Sequence, residues 1–165
     1  MNNFFIVGMP ASGKSKLGKF ISSHTKLEFI DLDIEIEKTI KMKVSEIFEN
    51  RGEEYFRMQE TKVLKGIIRK EENFILSTGG GTPYFNDNMS LINKSGISLF
   101  IDVDKKILLE RISRNNKRPL LKNTDNLEEK ISEIYNERIS FYKKSKHHLN
   151  SKIREQALSI INSYS

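Results

Sequence analysis

The run Gly8-Met9-Pro10-Ala11-Ser12-Gly13-Lys14-Ser15 places a glycine, four residues, and then Gly-Lys-Ser in the spacing of a phosphate-cradling loop. Glycines let the backbone turn sharply, so that successive amides point inward at an anion. A following helix adds its unpaired N-terminal N–H groups and the positive end of its dipole. Lys14 offers a mobile positive charge to the β and γ phosphates, and the Ser15 hydroxyl is placed to ligate Mg²⁺. The motif requires a strand before it and a helix after it. Phe4-Phe5-Ile6-Val7 is a short apolar run of strand character, and Leu17, Phe20 and Ile21 share one face of a predicted helix.

A chain of 165 residues has room for one domain with a sizeable core, here 1–165. No apolar run approaches the roughly 20 residues that cross a bilayer, and Phe4–Val7 runs straight into the loop, which argues against a signal peptide. The expectation is therefore no membrane partner. Cysteine is absent, which excludes disulfides and thiolate chemistry and is compatible with a cytoplasmic location. The net charge of +6 raises nucleic acid as a partner. Lys and Glu are interspersed along most of the chain, however, as on solvated helix faces. A nucleotide and an anionic substrate account for the same sign of charge, so no nucleic-acid partner is expected, and the chain is read as a monomer.

Strands and helices alternate along the rest of the chain. Leu27 to Asp33 reads as a strand ending in acids, followed by a helix over 34–42. Ser45 is the expected N-cap of a short helix that Gly52 ends. A longer helix is predicted over 53–69, with Phe56, Val63, Leu64 and Ile67 buried. Strands over 74–78 and 97–101, helices over 87–93, 105–112 and 127–144, a weak strand over 147–150 and a last helix over 152–164 complete the pattern. It predicts an α/β fold, a parallel sheet covered on both faces.

Several residues stand out against this frame. Asp31 and Asp33, two apart on the expected strand, would share one face beside the phosphate loop. One could hold Mg²⁺ through water while the other receives a substrate hydroxyl. Arg57 reads either as a helix-surface residue paired with Glu53 or Glu60, or as part of a shaped edge after Gly52. Gly79-Gly80-Gly81 fits a place where something approaches the backbone closely. Arg118 sits in a basic stretch without acids, suited to a closing lid and to stabilising a transferred phosphoryl group. Ile131, Tyr135, Arg138 and Tyr142 form one helical stripe, and an arginine there calls for a carboxylate, internal or from a ligand. His24, His147 and His148 show no metal-like spacing.

The ordered set of phosphate loop, Asp31-Leu32-Asp33, Gly52-Glu53 with Phe56-Arg57, Gly79-Gly80-Gly81, Arg118-Pro119-Leu120-Leu121, and Glu137-Arg138 with Tyr142 resembles the shikimate kinases. The resemblance implies a three-layer P-loop fold, with a five-stranded parallel sheet in 2-3-1-4-5 order and helices on both faces. It also implies a substrate-binding subdomain about 33–60 and a lid about 112–124. Shikimate would be the substrate, ATP the co-substrate and Mg²⁺ the metal, with shikimate 3-phosphate and ADP as products. The loop residues Ala11, Ser12, Gly13, Lys14, Ser15 and Lys16 would hold the ATP phosphates. Ser15 would ligate Mg²⁺, and Asp31 would hold it through water. Asp33 would orient or deprotonate the attacking hydroxyl, with Lys14 and Arg118 as its catalytic companions. Arg57, Gly79, Gly80 and Arg138 would hold the carboxylate and ring, and Phe48 and Phe56 would line the pocket. Arg111 would lie against the adenine. Ala11 stands where many members have glycine, and Asn150-Ser151-Lys152-Ile153-Arg154 lacks the family's proline in the adenine loop. Two rival readings are a gluconate or nucleoside-monophosphate kinase of the same fold, and a nucleotide-dependent nucleic-acid-binding module.

Overall fold

The structure, a computed structural model, describes residues 2–114 and 126–164. Strands β1 (Phe4–Val7), β2 (Glu28–Asp31), β3 (Phe74–Ser77), β4 (Ile97–Ile101) and β5 (His147–Leu149) form one sheet in the order β2-β3-β1-β4-β5. Every pairing is parallel, as the alternation of elements requires. β1, β3 and β4 are buried at every position, which is why they read as unbroken apolar runs rather than alternating ones.

Successive side chains on β1 enter different cores. Phe4 and Ile6 pack with Leu17 and Ile21 of α1 (Lys14–His24) and Ala157 and Ile161 of α7 (Ile153–Ser163). Phe5 and Val7 face the larger cluster. That cluster draws on α2 (Leu32–Ile40), α3 (Val44–Lys70), α4 (Asn88–Ser95), α5 (Lys105–Ser113) and α6 (Leu127–Tyr142). Three layers result. β1 lies between β3 and β4, so the chain turns to opposite sides of the sheet on leaving β1 and β3. The crevice at the carboxyl ends of these strands is where an open α/β sheet binds its ligands.

Local chemistry moves several boundaries. The predicted strand through Asp33 stops at Asp31, whose carboxylate accepts from the Asp33 and Ile34 amides and so caps α2. Asp33 therefore sits in a first helical turn, and the two acids do not share a strand face. Leu32 is nonetheless fully buried. Ser45 is not an N-cap: Lys43 takes that position, with its amide donating to the Glu46 carboxylate. Gly52, at φ 83 and ψ 170, breaks the helical backbone inside α3, so that two helices meet there at a kink, as the sequence predicts. Phe56 and Leu64 are buried on α3 as expected, whereas Val63 and Ile67 are only partly so. Arg57, Glu60 and Thr61 take much of the remaining buried face.

Candidate active site

The turn from β1 into α1 supplies the phosphate end. Gly13 precedes α1 at φ 97, a left-handed conformation that a side chain would resist. No side chain caps the helix, and its first turn holds no acid. Its amides are thus left for an anion. Lys14 is 8% exposed, and its Nζ donates to the carbonyls of Gly8 at 3.0 Å and Met9 at 2.8 Å. The ammonium is held over the loop that it would serve. Ser15 Oγ donates to Asp31 Oδ2 at 2.7 Å and lies 3.2 Å from Ser77 Oγ. Ala11 adopts φ 64, and its carbonyl accepts from Arg111 Nη1 at 3.0 Å.

A cleft of about 1190 Å³ opens here. It is lined by Ala11, Ser12, Gly13, Lys14, Ser15 and Lys16, by Asp31 and Asp33, by Gly79 and Gly80, and by Arg111. Sequence-predicted nucleotide, metal and hydroxyl-binding groups therefore meet in one place. Glu37, Lys43 and Arg154 also line it, none of them among the expected site residues. Lys43 pairs with Glu37 at 3.1 Å, and Arg154 stacks on Phe20 at 4.7 Å.

Arg57, Phe48, Phe56 and Arg138 do not line this cleft; they lie behind its glycine-run wall. The expected pairing of Arg57 with Glu53 and Glu60 is present, but its placement on the helix surface is corrected. It pairs with Glu53 at 3.2 Å and Glu60 at 3.0 Å, yet its side chain is only 7% exposed. Its guanidinium lies 4.2 Å from the Phe85 ring centre and 5.1 Å from that of Phe56, while the Phe48 and Phe56 rings meet at a tilt with centres 4.6 Å apart. Glu60 is fully buried and also accepts from Thr82 Oγ1 at 2.7 Å. The glycine run is explained by these neighbours. A Cβ on Gly81 would lie 2.5 Å from the Arg57 guanidinium, and one on Gly80 would lie 2.8 Å from Pro10. What approaches that backbone is the protein's own arginine and phosphate loop. A Cβ on Gly79 would lie 3.4 Å from Asp33 Oδ1, so the acid reaches the same wall.

Arg138 is 4% exposed, and no carboxylate among the described residues pairs with it. Its Nε is buried without a hydrogen-bond partner. One turn on, the Tyr142 hydroxyl donates to the Gly80 carbonyl at 2.5 Å. Burial pushes the Tyr142 phenol up to about 12; the charges of Arg138 and Arg57 and a hydrogen bond with Arg138 oppose that rise. Both arginines thus act on one buried phenol. A buried guanidinium with an unanswered N–H is prepared for an anion, and two arginines suit a carboxylate.

Sequence reasoning passed over Glu60 as a site residue. Phe56, Glu60 and Leu64 recur at spacings of four on α3, the same signal that singled out Arg138. Thr82 and Phe85 follow the glycine run and carried no such pattern. Arg118 lies outside the described residues. Among the described residues no group of three or more His, Asp or Glu side chains could hold a metal. Any cation here would rest on Ser15, Asp31 and oxygens brought by the ligand.

The shikimate kinase family model matches residues 10–164. A shikimate kinase of Clostridium botulinum is 36% identical, over 99% of this chain and 96% of that protein. The crystal structure of shikimate kinase from Bacteroides thetaiotaomicron covers 99% of this chain and 97% of its own, with 32% identity and a TM-score of 0.87. That of the Acinetobacter baumannii shikimate kinase in complex with shikimate covers 99% and 93%, with 28% identity and a TM-score of 0.91.

Proposed function

The chain belongs to the shikimate kinase family, and on that premise we propose that it transfers the γ-phosphoryl group of ATP to the 3-hydroxyl of shikimate, acting in the cytoplasm as a monomer. The observation that carries the acceptor assignment is the pair of buried arginines behind Gly80 and Gly81. Arg57 is fixed by two glutamates, and Arg138 has a buried Nε with no partner.

In the reaction, the acceptor oxygen attacks the γ phosphorus, the bond from that phosphorus to the β,γ-bridging oxygen breaks, and ADP leaves. Asp33 orients the hydroxyl and takes its proton. The loop amides from Ala11 to Lys16 and the Lys14 ammonium offset charge on the phosphates. Phosphoryl transfer asks mainly for such positioning and electrostatics. Arg57 and Arg138 hold the carboxylate, with Gly79 and Gly80 against the ring and Phe48 and Phe56 beside it. Arg111 flanks the base, and Arg118 reaches the transferred group from a lid about 112–124. Residues 33–60 form the substrate-binding subdomain.

The oxygen donors fit Mg²⁺, which takes one or two carboxylates together with water and substrate phosphates. Ser15 would hold it directly and Asp31 through water, and it would supply charge neutralisation at the phosphates. The closeness of Ser15 Oγ to Asp31 Oδ2 supports that pairing.

Release of ADP, measured with ATP and Mg²⁺ in the presence and absence of shikimate, tests the reading. Shikimate should raise the rate far above background, and gluconate should not. Turnover of gluconate without turnover of shikimate would reject it.

A further inference from the structure

Tyr142 is the point at which α6 meets the phosphate side of the molecule. It is fully buried and stacks on Phe100 of β4 with ring centres 5.3 Å apart. Its hydroxyl has one proton, which goes to the Gly80 carbonyl at 2.5 Å. The same oxygen lies 3.9 Å from Met9 Sδ, in the phosphate loop. Gly80 in turn presses on Pro10, where a Cβ would come within 2.8 Å of the proline ring.

With its proton committed, the phenol oxygen can only accept from Arg138. That uses part of the guanidinium, and its buried Nε is left without a protein partner among the described residues. From these contacts we infer that Tyr142 is a positioning residue: its hydroxyl fixes both the Gly80 carbonyl and the Arg138 guanidinium, so that the acceptor's carboxylate is held in register with the phosphate loop. The raised phenol pKa keeps the hydroxyl protonated, and hence donating, throughout the neutral range. The inference rests on the reading of Arg138 as a carboxylate-binding group.

The test is Tyr142→Phe, which keeps the ring stack and removes the hydroxyl. It is compared with Arg138→Lys and wild type, using shikimate and its analogue in which a hydroxymethyl group replaces the carboxylate. All assays run below the melting onset of the least stable variant, so a lowered melting temperature does not remove the comparison. For shikimate, Tyr142→Phe should raise KM about tenfold, with kcat and the KM for ATP within about twofold of wild type. For the hydroxymethyl analogue, wild type and Tyr142→Phe should have the same KM. An equal rise for both acceptors, or an unchanged KM for shikimate while Arg138→Lys raises it, overturns the role given to Tyr142. An unchanged KM in Arg138→Lys overturns the reading of Arg138 itself.

Discussion

At the phosphate end of the cleft, the groups that would meet a ligand are mostly backbone amides, supplied by the short stretch from Ala11 to Lys16 at the start of α1. At the proposed acceptor site, behind the glycine-run wall of that cleft, they are side chains drawn from α3 and α6. The first end needs little beyond its own loop, because a helix N-terminus brings its donors already aligned. The second must fix long, flexible arginines, and it does so with a further set of buried groups. Glu60 and Glu53 hold Arg57, Thr82 holds Glu60, and Tyr142 stands beside Arg138. A site made of backbone is local and chemically thin, whereas one made of side chains spreads its requirements through the core.

This contrast can be broken experimentally. The largest effect belongs to the two charged groups where the phosphate loop meets the acceptor hydroxyl: Lys14→Ala or Asp33→Asn should lower kcat by about 10³-fold, some 4 kcal/mol of transition-state stabilisation. Near-normal kcat in Asp33→Asn by the ADP-release assay would remove its assigned role. Next is the acceptor end. Glu60→Gln leaves Arg57 with half of its charge partners in a buried setting. A loss of about 3 kcal/mol is expected in urea unfolding, together with a higher KM for shikimate. A variant that lost affinity but no stability would show that the supporting groups are separable from the core.

A smaller effect follows from the Tyr142 phenol. Its pKa in the folded chain, about 12, lies above the ordinary 10.0. The stability that depends on its protonated form is complete below pH 10 and is lost as pH rises through 12. Relative to Tyr142→Phe, wild type should lose on the order of 2 kcal/mol between pH 9 and 12, read by urea unfolding at each pH. A constant difference between the two across that range would remove the burial argument. The smallest effect is at the phosphate loop. Ala11→Gly relieves a left-handed alanine but adds unfolded-state entropy. These terms nearly cancel, so stability should change by less than about 1 kcal/mol and the KM for ATP by less than about twofold. A larger change would mean that the loop is less self-contained than its geometry says.

The same contrast explains what the sequence disclosed. The phosphate loop and the strands flanking it were legible because each is specified by adjacent residues: a glycine spacing, and apolar runs buried on both faces. The sheet order was implied only by the resemblance to the shikimate kinases, whereas the glycine run stood out by its own backbone freedom. Asp33 was misassigned to a strand because Glu28-Phe29-Ile30-Asp31 continues as Leu32-Asp33 without any turn residue. Only the capture of two amides by the Asp31 side chain ends the strand. Arg57 was recognised, but its pairing was read as one on a helix surface: the pairing with Glu53 and Glu60 is real, and it occurs in the interior. Thr82, Phe85 and the hydroxyl of Tyr142 act across tens of residues of chain, and no local pattern marks such contacts.

The sheet order has a consequence for the chain while it is being made. β1 is the central strand, and its partners come much later: Phe4 pairs with Ile75 on one side and with Ile97 on the other. At a synthesis rate of about 5 to 20 residues per second, the second partner follows by roughly 5 to 20 seconds. Until β3 is made these four apolar residues have no sheet to enter, and β1 becomes an interior strand only when β4 follows. The part of this molecule most recognisable on paper is thus made first and framed later, by strands that lie far downstream in the chain.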